Sequence, residues 1–198
     1  MGLSFHYSGR IANPESLPEL IEEVEDIAKV YGWKYFVFDR QFPENTVGKL
    51  EYTDLFYGIC FTPTGCETVN ICFLSNGRMS SISHLKFWGQ SDDAQEKEYL
   101  YMLSVKTQYA GIDVHLFIIH LFRYLNEKYF VDFEMSDEGE YWETNDQNVL
   151  KKNFKRYTEL IDGFASAIQN HPIKGDEDIE TYFLRLMKHI KDQKNREE

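Results

Sequence analysis

Residues 112–128 read IDVHLFIIHLFRYLNEK, and no other stretch limits the possible folds as much. At helical spacing Ile112, Val114, Leu116, Phe117, Ile118, Ile119, Leu121, Phe122 and Leu125 cover most of the circumference. Only a narrow polar stripe of Asp113, His120, Arg123 and Glu127 is left. A helix that is apolar nearly all round has to be buried by other elements. The chain of 198 residues is long enough to bury a substantial core. With 15 Phe, 13 Tyr and 3 Trp, that core is expected to be aromatic-rich.

The covering elements follow from pattern. Residues 3–11 read as an opening strand with Phe5 and Tyr7 on one face, stopped by Asn13-Pro14. Ser16 and Glu19 form a capping-box pattern ahead of a helix over residues 16–31, closed by Gly32. Strands are expected at 33–38, 55–62, 68–74, 99–107 and 130–135, from β-branched and aromatic runs. Asn76-Gly77 signals a two-residue hairpin that sets Leu74 opposite Met79 and Ile71 opposite Ile82. Residues 42–54 and 86–97 read as loops. In the last strand Val131, Phe133 and Met135 share the core face, with Asp132 and Glu134 toward water. A second capping box, Thr144 with Gln147, is expected to start a helix over 148–169. Ile179, Tyr182, Phe183, Leu186, Met187 and Ile190 mark another helix over 178–191, after a turn at Asn170-His171-Pro172 and Gly175-Asp176.

Hairpin-like strand neighbours with helices set apart imply an α+β fold. The expectation is a mostly antiparallel sheet with helices packed on one face and a C-terminal antiparallel helical pair. The division is a sheet domain over 1–146 and a helical hairpin over 147–198 packed on it as a single unit.

The formal net charge of −12 excludes some partners. Nucleic-acid phosphates and anionic lipid both require Lys or Arg for neutralisation. No stretch is long and apolar enough to span a membrane, and the N-terminus has no signal-peptide pattern. Gly2 is followed by His6 where myristoylation wants Ser or Thr. The protein is therefore expected to be cytoplasmic, with no nucleic-acid or membrane partner. Cys60, Cys66 and Cys72 match no zinc or redox spacing, and their odd number opposes a disulfide framework. Cys60 and Cys72, in apolar runs, read as small core residues.

The densest polar string is S-D-E-G-E-Y-W-E-T-N-D at 136–146. One account is local: acids before a helix N-terminus suit its partial positive charge, and Lys151, Lys152, Lys155 and Arg156 can pair with them. A second is a binding surface, with Tyr141 and Trp142 as anchors and Asp137, Glu138, Glu140 and Glu143 as steering charges for a basic protein partner. Small acidic proteins that neutralise basic nucleases share this electrostatic profile. A metal site is not expected, since the string lacks EF-hand spacing. Paired carboxylates for glycoside hydrolysis are the weakest account.

His115 and His120 are five residues apart, so they sit on different helix faces and cannot share a metal. They define an alternative, a small-ligand or hydrolase pocket between sheet and helices, although His115 among apolar residues also reads as a satisfied core histidine. No nucleophile motif, phosphate loop or dinucleotide fingerprint is present, so no cofactor is expected. The sequence favours a non-enzymatic binding protein acting through the 132–143 surface. Homo-oligomerisation through the C-terminal helices is a further possibility.

Overall fold

The computed structural model describes residues 3–175 and 177–197. Gly2, Asp176 and the side chain of Ile190 lie outside the described residues. The elements are β1 (Ser4–Ile11), a 3-10 turn (Pro14–Ser16), α1 (Leu17–Val30), β2 (Lys34–Val37), β3 (Tyr57–Thr62) and β4 (Val69–Phe73). Then come α2 (Ile82–Trp88), α3 (Ala94–Tyr99), β5 (Leu103–Lys106), α4 (Ile112–Tyr129), β6 (Phe130–Asp137), α5 (Tyr141–Thr144), α6 (Gln147–Asn170) and α7 (Ile179–Glu197). The fold is α+β, with a C-terminal helical pair.

The strands form two sheets of three, ordered β5-β1-β6 and β2-β3-β4, with every pairing antiparallel. The hairpin after β4 stitches them together. Ile11 N donates to Gly77 O at 3.0 Å and Met79 N to Gly9 O at 2.9 Å. That hairpin has a different register from the two-residue turn expected. Gly77 N donates to Leu74 O at 2.8 Å and Leu74 N to Arg78 O at 3.0 Å. Only Gly77 has positive φ, at 81°. This is a turn over Ser75-Asn76 followed by a left-handed glycine bulge, one residue longer than the expected loop. Phe73, not Leu74, consequently faces Met79. The return arm is short, because Ser81 Oγ accepts His84 N and starts α2 where a strand through Ile82 was expected.

The main core lies between the inner faces of both sheets and the helices α1 and α4. Phe5, Tyr7, Leu103 and Val105 of the first sheet and Ile59, Phe61, Val69, Ile71 and Phe73 of the second are buried there. They pack with Leu17, Leu20, Ile21 and Val24 of α1 and Ile118, Ile119, Phe122 and Leu125 of α4. Leu150 and Phe154 of α6 complete it. On its far side the second sheet has its own cluster, Phe56, Cys72, Leu74, Leu100 and Tyr101, with Cys60, Leu85 and Trp88 against it. That cluster explains why 86–97 is not simply a loop: α2 and α3 cover this face. A third, small cluster joins Ala167 of α6 to Tyr182 and Leu186 of α7.

Several local expectations are corrected. Ser16 makes no side-chain cap; Asn13 Oδ1 accepts Glu15 N at 3.0 Å and begins the 3-10 turn instead. Helix α6 is capped by Asp146, whose Oδ1 accepts Asn148 N at 2.7 Å, and not by Thr144. In β6 the register against β1 shifts between Ser8 and Arg10, where Asp132 adopts φ 52°. The bulge inserts one residue and inverts the face of everything before it. Phe130 is buried and Val131 is 41% exposed, while Phe133 and Met135 still point inward. Among the described residues, no helix is long and apolar enough to cross a membrane.

Candidate functional site

Beyond the bulge, β6 delivers Asp137 to the core side. Its side chain continues the inward row of Phe133 and Met135 and is fully buried. The carboxylate accepts Gly139 N at 2.7 Å, Tyr141 N at 2.8 Å and Trp142 N at 3.2 Å. Behind it, His115 Nε2 of α4 lies 3.2 Å from Oδ2. His115 Nδ1 is in turn 2.7 Å from Thr107 Oγ1. Burial alone would raise the Asp137 carboxyl. The hydrogen bond and charge of His115, with the amides of Gly139 and Trp142, hold it below its ordinary value.

Around this buried carboxylate the string folds into a fixed knot. Glu143 Oε1 accepts Asp137 N at 2.9 Å, and Glu138 Oε2 accepts Ser4 N at 2.7 Å. Glu140 and Asn145, flanking α5, are both left-handed, with φ 60° and 54°. Arg123 of α4 donates to Asn145 Oδ1 at 2.6 Å, Trp142 O at 3.0 Å and Tyr141 O at 3.1 Å. Helix α5 thus has a carboxylate on its free amides and a guanidinium on its free carbonyls. Gly139 is required by close approach, since a Cβ there would sit 2.5 Å from Leu150 Cδ1.

The structure sorts the six residues of the expected surface into two groups. Asp137 and Tyr141 are inside, each 4% exposed. Tyr141 packs against His120, with ring centroids 5.6 Å apart and its hydroxyl 3.3 Å from His120 Nε2. Neither can serve as a steering charge or an exposed anchor. Glu138, Glu140 and Glu143 are exposed, as is Glu134 on β6, the edge strand of its sheet. Trp142 is half-buried, its ring 5.9 Å from Phe133 and 5.5 Å from the Arg123 guanidinium. None of Glu134, Glu138, Glu140 and Glu143 forms an ion pair with a described residue. The cations of early α6 do not reach them; Lys155 pairs with Glu159 at 3.6 Å. Asp132 is paired with Arg10.

The two histidines do not converge. His115 is buried with both ring nitrogens bonded, while His120 is exposed on another face of α4. Among the described residues no three His, Cys, Asp or Glu side chains are grouped to hold a metal. Thr107 and Arg123 are the members of this site that sequence reading missed. Their partners are 8 and 22 residues away, and no local pattern joins them.

The outer face of the first sheet is the other notable surface. A shallow cavity of about 280 Å³ is lined by His6, Ser8, Met102, Glu134 and Ser136. It adjoins, through Ser8, a cavity of about 330 Å³ between Arg10 and Arg78. No protein-family model matches the chain, and no curated protein or solved structure shows significant similarity to it.

Proposed function

We propose that the protein acts by binding a basic protein partner, through the exposed carboxylates of Glu138, Glu140 and Glu143 beside Trp142. One observation carries this reading: these three acids have no cationic partner among the described residues, although the 137–145 segment that holds them is fixed by hydrogen bonds to Asp137 and Arg123. A surface arranged in advance loses little entropy on association. Unneutralised carboxylates raise the encounter rate with a positive partner. Trp142 supplies a flat apolar edge beside them, and Arg123 behind it keeps the ring in place. The carboxylates of Glu138 and Glu143 each accept one backbone amide.

Affinity capture from the source cells tests this. The wild-type chain should retain a basic protein that is lost with Glu138→Lys plus Glu140→Lys and kept with Glu22→Lys on α1. Retention of the same protein by wild type and both variants contradicts the reading.

A further inference from the structure

The chain is strongly acidic, yet three cationic side chains from three separate segments line one cavity of about 330 Å³. Arg10 comes from β1, Lys49 from the loop before β3, and Arg78 from the hairpin that stitches the sheets. Arg10 and Arg78 are directly opposite one another across that seam. Like charges so placed repel, and an adjacent strand position is a poor choice for them on packing grounds alone. Asp132 and Glu98 each take one guanidinium. Lys49 has no anionic partner among the described residues.

The wall between them is built rather than open. The Arg78 guanidinium lies 3.4 Å above the centre of the Tyr101 ring, which fixes its plane. Asn76, 1% exposed, donates from its side chain to the Tyr101 hydroxyl at 3.2 Å and accepts Gly48 N on its carbonyl at 3.0 Å. Gly48 leaves the cavity lining free of a side chain at one point, and Gly9 lines it with backbone. The volume is at the lower end of small-molecule sites, roughly 300–1,000 Å³. Paired guanidinium forks match the geometry of a phosphate group, and a dianion between them relieves their mutual repulsion.

We infer that this cavity binds the phosphate group of a small phosphorylated ligand, bridged by Arg10 and Arg78 with Lys49 as the third cation. The site is separate from the acidic face and does not depend on it.

Titration of the full chain with pyrophosphate at constant ionic strength, followed by amide resonances and by calorimetry, tests the assignment. Saturable shifts are expected at the amides of Gly9, Gly48 and Gly77. Lys49→Ala should weaken binding by about tenfold, the effect of losing one good charge contact. Asp132→Asn, which removes the acid from the wall, should tighten it. Glu138→Gln with Glu140→Gln should leave it unchanged, so failure of the acidic face and failure of this site give different results. Arg78 also holds Glu98 and Tyr101, so its removal affects folding; the Lys49 side chain makes no such contact and gives the cleaner comparison. The assignment is overturned if no saturable shift appears at those amides. It is equally overturned if Lys49→Ala binds pyrophosphate as tightly as wild type.

Discussion

Asp137 is the residue on which the acidic segment turns. It has three backbone amides and a buried imidazole as partners and no access to water. Removing one member of a buried pair strands the other, at a cost of about 3–5 kcal/mol. Asp137→Ala should lose that much in urea unfolding at neutral pH. Because its folded value is depressed, the carboxylate contributes stability above the ordinary carboxyl range, about 4. That contribution is lost as pH falls through the lowered folded value. The acid limb of the stability curve should therefore be shallower in Asp137→Ala than in wild type. The thiols give a second residue-scale test. The neighbouring Cys72 thiol brings Cys60 down to about 7, while burial pushes Cys66 up to about 12. Iodoacetamide should label Cys60 first in the folded protein, with a rate that rises through pH 7. Prior labelling of Cys66 would contradict this. At this scale the sequence identified the acidic string but not its orientation. The alternation in VDFEMSD carries no sign of a bulge. The nearest hint is Gly9 on the partner strand, where a Cβ would meet Phe133 Cδ2 at 3.0 Å.

Among elements, the long periodic ones were legible, because a buried stripe or alternation repeated over many residues outweighs any local exception. The strand at 3–11 and the helices at 112–128 and 148–169 lie within a residue or two of β1, α4 and α6. Short elements were not legible. Helices α2 and α3 are too short to show a period; α2 exists because Leu85 and Trp88 pack on the second cluster, and α3 leans on α2 through Tyr99 against Trp88. The caps were misplaced for a related reason. Ser-x-x-Glu and Thr-x-x-Gln patterns compete with neighbouring Asn13 and Asp146, and the competitor wins in each case. Asp146→Ala should cost about 1 kcal/mol. Gln147→Ala should change little, whereas a working Thr144–Gln147 box would make it matter; thermal unfolding of both variants decides.

The whole molecule is uneven in its support. Helix α4 sits in the main core, whereas α7 joins α6 through a small cluster of Ala167, Tyr182 and Leu186. Outside that cluster, Arg185 pairs with Glu177 at 2.7 Å and Phe183 stacks on Phe164. Native-state hydrogen exchange should show α7 opening well before α4, with α4 protected up to global unfolding. Charge is uneven too: four of the five acids of α1 find cations, Lys128 binding Glu19 and Glu23 and Lys29 binding Glu25 and Asp26, while those around Trp142 find none among the described residues. The proposed role of this unneutralised face is to receive a basic partner. Its most direct test is the association rate of the captured partner, measured across ionic strength for wild type and for Glu138→Lys plus Glu140→Lys. The wild-type rate should fall steeply with salt, and the variant should be at least about tenfold slower at low salt with little salt dependence. Equal rates with parallel salt dependence in the two proteins would contradict it.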